Sequence, residues 1–178
     1  MGRFTEHIMN PRHLPSLIAV LVVLAATSAL ALALWLQFAM DYTPCSLCVY
    51  QRLANLAVLV IVVLGLFWTG AAQRGLWLLA SAYALAGAGL AGWQWHLTAV
   101  ATHRVERCAA VNLLPGEHRF GSWGKDFASA LSGHGSCAAA GARTLAGWPI
   151  THWSLVFFLI CAVLLWLAQW LAGRLGKR

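Results

Sequence analysis

The sequence predicts an all-α integral membrane protein: a bundle of four transmembrane helices with a long loop, carrying a short interfacial helix, before the last of them. Three observations carry that expectation. The 178 residues are 61% hydrophobic and only 10% charged, against roughly 25% charged in ordinary globular domains. No Asp, Glu, Lys or Arg occurs from His13 to Met40, from Leu53 to Gln73, from Gly75 to His103, or from Thr144 to Gly173. Each of these runs reaches the ~20 apolar residues that a membrane helix needs. Tryptophans then fall near the run ends, with Trp35, Trp93, Trp95 and Trp153 at one interface and Trp68, Trp77, Trp166 and Trp170 at the other. That is the double aromatic belt expected of four alternating helices. A soluble domain would have to bury all four runs with almost no polar surface.

A single membrane domain is expected over residues 1–178, with spans near 14–38, 49–69, 75–97 and 150–172 and intervening loops near 39–48 and 98–149. In the first span, Ala29-Leu30-Ala31 resembles a signal-peptidase site. A signal's apolar core runs only about 7–15 residues, and Leu14 to Phe38 is longer, which favours an uncleaved span over a signal peptide. The turn near Thr69–Arg74 contains Gly70 and is followed by Gly75, as a tight helical connection requires. The third span is rich in small residues from Ala80 to Gly92. These let membrane helices approach closely, or leave room for a flat ligand. Gly87, Gly89 and Gly92 match GxGxxG, but a dinucleotide fingerprint must follow a strand and open a helix, and no such context exists here. In the long loop, Trp123, Phe127 and Leu131 recur at i, i+4 and i+8, with Ser122 placed to cap. This reads as a short amphipathic helix on the membrane surface, the alternative being a loop packed on helix ends.

Four spans put both termini on one side. Arg3, Arg12, Arg74, Arg174, Lys177 and Arg178 lie on that side, and Arg52, Arg104, Arg107 and Arg143 on the other. The positive-inside rule then makes the termini cytoplasmic and turns both loops away from the cytosol. The net charge of +7 is scattered over flanks and loops, so it implies no nucleic-acid partner. All four loop cysteines, Cys45, Cys48, Cys108 and Cys137, fall on the side where bacterial disulfides persist.

The stretch "TPCSLCVYQR", Thr43 to Arg52, concentrates the chemistry. A three-residue step at a helix start brings two sulfurs within bonding reach. Pro44 suits a helix entrance, and the exposed N–H groups and helix dipole there favour a thiolate, which disulfide exchange needs. Cys45 and Cys48 therefore read as a redox-active pair. An inert disulfide and a zinc site are the alternatives; no metal is expected, because the second pair lacks CxxC spacing. Arg52 shares a helix face with Cys48 at i, i+4. Its charge at the membrane boundary marks a functional site by default, where it would stabilise a Cys48 thiolate and an anionic acceptor; snorkelling to headgroups is the alternative. Cys108 and Cys137 fit a loop disulfide, with "SGHGSCAAAGA" around Cys137 small and flexible enough to let it open and re-form. Cys161, mid-span, behaves as a small hydrophobe. A membrane dithiol without haem or flavin motifs needs a two-electron acceptor, and a lipid-soluble quinone diffuses in the same layer.

"ALWLQFAM" before "PCSLCVYQR", four spans, a loop cysteine pair and "LAGWPITHWSLVFF" opening the last span together resemble the DsbB family. The resemblance covers nearly the whole chain, and its P-C-x-x-C-x-Y-x-R core is the specific part. It implies a bacterial inner-membrane four-helix bundle that binds ubiquinone or menaquinone. It also implies an enzyme that reoxidises a periplasmic DsbA-like thiol oxidase through two disulfides. Carried over by position, Cys45 and Cys48 are the quinone-coupled pair, with Cys48 nearest the ring. Arg52 is the quinone-site arginine and His96 lines the quinone pocket. Cys108 and Cys137 are the pair that meets the partner, with Cys108 taking the mixed disulfide. Gln51 stands where some relatives carry an acid, so no role is expected of its side chain.

Rival readings are a paralogue serving another thiol oxidase, a membrane thiol reductase running electrons outward through the same cysteines, a tetraspan scaffold with structural disulfides, and a metal-binding membrane protein. The direction of flow rests on reduction potentials, where about 30 mV is tenfold for a two-electron couple.

Overall fold

A computed structural model describes residues 13–100, 111–112 and 130–175 of the chain. It is built on four long helices: α1 (Leu14–Ala39), α2 (Ser46–Phe67), α3 (Gly70–Val100) and α5 (Ile150–Leu175). All four are long and apolar enough to cross a membrane, and the protein is a multi-pass membrane helical bundle. Pro15 sits in the first turn of α1, where its missing N–H costs nothing because that donor would be unpaired anyway. After the α1 C-cap at Met40, Asp41 turns the chain with φ 49°. Helix α2 starts at Ser46, so Cys48 lies inside its first turn and not in the preceding loop. The link between α2 and α3 is only Trp68 and Thr69. Gly70 follows at φ 70°, in the left-handed region open to glycine without strain.

The core is built where the helices meet. Ala19 and Val22 of α1, Ala54, Val58 and Val62 of α2, Trp77, Ala80, Ala84 and Ala88 of α3, and Phe158, Cys161, Ala162, Leu165 and Ala168 of α5 form one buried cluster. Ala80, Ala84 and Ala88 recur every four residues, so they share one helix face, and their small side chains admit the neighbouring helices. A Cβ on Gly87 would lie 2.5 Å from the Phe158 ring, whereas Gly89 and Gly92 face open space. Of the three glycines in the GxGxxG match, only the first is needed for packing.

The outer surface is the inverse of a soluble protein's. Leu21, Leu24, Phe67 and Val163 are exposed, as a lipid-facing surface allows. Trp35, Trp68, Trp93, Trp95, Trp153, Trp166 and Trp170 are exposed too, in keeping with aromatic belts. Trp77 departs from the expected belt: it is fully buried, with its indole against Gly65, where an added Cβ would lie 2.5 Å from Nε1. The absence of a side chain at Gly65 opens the space that draws this tryptophan inward. Cys161 is buried in the same core, in a cluster that contains neither Cys45, Cys48 nor Cys137.

The loop end of the bundle is capped by short elements. β1 (Val111–Asn112) pairs antiparallel with β2 (Ser132–Gly133). Helix α4 (Cys137–Ala142) follows, capped by Ser136, whose side chain accepts from the Ala139 N–H. β3 (Thr144–Leu145) and β4 (Trp148–Pro149) form a hairpin that leads into α5. Its two turn residues, Ala146 and Gly147, both have positive φ, the condition for a turn whose twist matches the strands. The amphipathic helix expected from Ser122 onward lies outside the described residues, apart from Ala130 and Leu131 at its end.

Candidate redox site

The site grows from the entrance of α2. Cys45 is the N-cap of that helix, in extended conformation, and its sulfur accepts the Cys48 N–H at 3.2 Å. A thiol thus fills the capping role usually taken by Ser, Thr, Asp or Asn. The cap falls one residue after Pro44, which lies outside the helix and not at its first position. Cys45 and Cys48 are both free thiols, and Cys45 is fully buried. The Cys45 thiol is pushed well above the usual range, first by its side-chain hydrogen bond with Cys48 and then by burial. The helix entrance alone would favour a thiolate at either sulfur; hydrogen bonding and burial reverse that preference at Cys45.

The second cysteine region is seated directly on this entrance. The N–H groups of His134 and Gly135 both donate to the Pro44 carbonyl, at 3.1 and 3.0 Å. Cys45 and Gly135 form a parallel β-bridge. A Cβ on Gly133 would lie 2.6 Å from the Cys45 carbonyl group, and one on Gly135 2.9 Å from the Thr43 oxygen. The glycines of "SGHGSC" are therefore contact residues that let two backbones touch, where the sequence suggested slack. Cys137 follows at the start of α4. It is buried and disulfide-bonded, and its sulfur lies 3.8 Å from the Ser46 hydroxyl. Cys108 lies outside the described residues.

Gln94 of α3 joins the two regions. It is 3% exposed, and its Nε2 lies 3.5 Å from the Cys45 sulfur, 3.6 Å from the Cys48 sulfur and 3.3 Å from the Cys137 carbonyl oxygen. Its Oε1 accepts from Gln51 Nε2 at 2.8 Å, which fixes the amide so that its N–H groups face the cysteines. Neither glutamine stands out in the sequence. Gln94 is flanked by two tryptophans, and Gln51 sits where no role was expected.

Arg52 lies one turn beyond Cys48, half-buried. Its guanidinium donates to Gln37 Oε1 and to the backbone oxygens of Ala33 (3.2 Å) and Ala130 (3.1 Å). It is held by α1 and by the loop end, and does not snorkel freely. All three acceptors are neutral, so its charge is solvated by them without being cancelled.

A pocket of about 140 Å³ opens beside these groups. Cys48, Gln51, Arg52, Asn55, Gln94 and Phe158 are among its lining residues, and Cys45 and His96 are not. Cys48 is thus the pocket-side sulfur and Cys45 the sulfur beside the Cys137 segment. His96 is exposed, with its ring 5.7 Å from that of Trp93. Two residues along a helix turn the direction by about 200°, so Gln94 points inward and His96 away. The pocket matches a single ring in size, since an apolar cavity of ~150 Å³ accommodates benzene. Its polar groups also suit a ring carrying oxygens. Arg52 supplies donors, and Asn55 is 4% exposed, with its Oδ1 lacking a hydrogen-bond partner among the described residues while Nδ2 donates to Ala26 at 3.1 Å.

Fold and site together define a class: multi-pass membrane proteins with paired cysteines gathered at one end of a helical bundle. The chain belongs to the DsbB family, whose model, described as "Disulfide bond formation protein DsbB", matches residues 15–168. It is 34% identical over 150 residues to a Disulfide bond formation protein B of Herminiimonas arsenicoxydans, covering 81% of this chain and 88% of that one. It is also 34% identical over 163 residues to the protein of the same name from Chromobacterium violaceum, covering 86% and 90%. A third, from Acidovorax sp., is 29% identical over 168 residues, covering 90% of each. No solved structure matches the chain significantly.

Proposed function

We propose that this protein is a quinone-dependent disulfide oxidoreductase of the bacterial inner membrane that reoxidises a periplasmic DsbA-like thiol oxidase. The observation that carries the reading is the division of labour around one helix entrance: Cys48 borders the ring-sized pocket and Cys45 borders the Cys137 segment. Electrons entering at the loop pair have a route that leads from Cys137 through Cys45 to Cys48 and ends at the pocket. Termini in the cytoplasm and both cysteine loops in the periplasm fit the excess of basic residues on the terminal side.

In this mechanism a thiolate of the reduced partner attacks Cys108 of a Cys108–Cys137 disulfide, and Cys137 leaves as a thiolate. Cys137 then attacks Cys45 of an oxidised Cys45–Cys48 pair, and the electron pair of the broken bond leaves on Cys48. Arg52 stabilises the negative charge on that sulfur and in the pocket. A quinone, ubiquinone or menaquinone, supplies a two-electron, two-proton acceptor when bound there. Arg52 would hold one ring oxygen and the Asn55 oxygen would accept from a ring hydroxyl, with Phe157 and Phe158 lining the pocket beside them.

The test is an anaerobic assay of purified protein in detergent, mixing a reduced DsbA-like protein with a soluble ubiquinone analogue and following quinone absorbance. Catalytic loss of quinone that vanishes in Cys48→Ser is the expected result. No turnover with an active partner and both cysteine pairs oxidised would overturn the reading.

A further inference from the structure

Gln94, on a third helix, has its side-chain amide within hydrogen-bonding range of both cysteine regions. We propose that its carboxamide is a positioning group that couples them, holding the Cys137 peptide against the Cys45–Cys48 pair and donating a hydrogen bond to the sulfur that leaves when the pair opens. The inference rests on the relay reading above.

A glutamine amide has two N–H donors, yet Gln94 Nε2 faces three acceptors: the sulfurs of Cys45 and Cys48 and the Cys137 oxygen. Its N–H groups are therefore shared, and they follow negative charge, because a hydrogen bond to an ionised acceptor is about twice as strong as a neutral one. While Cys45 and Cys48 are bonded to each other, their sulfurs accept weakly and the Cys137 carbonyl is the better partner. Attack by the Cys137 thiolate on Cys45 forms the Cys45–Cys137 bond, breaks the Cys45–Cys48 bond and leaves the electron pair on Cys48. At that moment the best acceptor within reach of Nε2 is Cys48. One N–H keeps the attacking segment seated while the other meets the leaving sulfur.

The orientation this requires is built in. The Gln51 amide donates to Gln94 Oε1, so a flipped Gln94 would face one amide N–H with another and turn its oxygen toward the sulfurs. Burial of both glutamines keeps water from taking over these contacts. Gly141 clears the space: a Cβ there would lie 3.1 Å from Gln94 Nε2 and 2.8 Å from the Thr151 methyl carbon.

The experiment follows the inter-pair exchange itself. Full-length oxidised protein in detergent is mixed with one equivalent of a reduced DsbA-like protein, without added quinone. Samples are quenched in acid, alkylated and mapped by mass spectrometry for a Cys45–Cys137 linkage with Cys48 free. Gln94→Leu should slow the appearance of that linkage about tenfold or more, the scale of losing a hydrogen bond to a charged group. Gln94→Glu keeps the shape and, while protonated, one donor; once ionised it offers only acceptors. Its exchange rate should fall as pH rises and the carboxyl ionises, whereas the wild-type rate should rise with the attacking thiolate population. Wild-type linkage with both variants at the wild-type rate and pH profile would overturn the role of Gln94 and leave the relay standing. A slow Gln94→Leu beside a Gln94→Glu that follows the wild-type profile would reduce Gln94 to packing and also overturn it. No Cys45–Cys137 linkage in the wild type would overturn the relay beneath it.

Discussion

At the scale of single residues, the site divides into what lies close along the chain and what only folding brings near. Cys45, Cys48 and Arg52 were legible because they fall within about two helical turns, where i, i+4 geometry is fixed before any tertiary contact forms. Gln94 was not, because its position 43 residues beyond Gln51 acquires meaning only when α3 packs on α2. His96 was expected at the pocket by its position in the family resemblance, but helical rotation decides which side chain faces the site, and here that is Gln94. Arg52 has the most direct consequence for binding. Replacing it by Met keeps length and apolar bulk while removing every donor that the pocket has from the guanidinium. Arg52→Met should raise the apparent quinone KM about tenfold or more, the scale of a hydrogen bond to a charged group, with protein level preserved. Steady-state kinetics against a quinone analogue check this; unchanged quinone kinetics would remove Arg52 from the proposed site.

At the scale of elements, the four helices were readable from their charge-free runs, because bilayer thickness dictates their length. Their mutual packing was not readable, since a stripe of small residues does not say which of its members meets a neighbour. Gly87 and Gly89 lie two positions apart and differ in this respect: the first holds the Phe158 ring and the second faces open space. Gly87→Ala should therefore destabilise the bundle by about 1–3 kcal/mol through overpacking. Gly89→Ala should be neutral or stabilising by up to roughly 1 kcal/mol, because alanine is the better helix former. Thermal unfolding in a fixed detergent measures both, and equal effects would contradict this packing. The short elements at the loop end escaped sequence reading because they have no periodicity to detect. The segment before Cys137 is set by main-chain contacts of His134 and Gly135 with Pro44 and Cys45, which form across about ninety residues of chain.

At the scale of the whole molecule, the bundle gathers two cysteine regions that are distant in sequence at one end of the membrane helices. Cys45 and Cys137 are both buried there. The proposed relay then has an order that can be trapped. Cys137→Ala removes the nucleophile that would resolve a complex at Cys108, so a mixed disulfide with the DsbA-like partner should accumulate. Non-reducing electrophoresis of purified protein mixed with reduced partner reads it as a new band that dithiothreitol abolishes. A partner that is never captured would reverse the assigned order. The bundle itself was legible from hydropathy alone, whereas the enclosure of the inner pair depends on how the loop end seats over it.

That seating relies on two amide N–H groups, one carbonyl and two missing side chains. Such a latch reads the shape of the chain and is blind to its chemistry. His134, between the two glycines, points its side chain outward and is exposed. Its side chain borders a surface cleft with Asp41 and Tyr42, while its neighbours on either side have no room for a Cβ. A side chain added at either glycine would therefore pry the Cys137 segment away from the helix entrance, whereas the side chain at position 134 takes no part in holding it there.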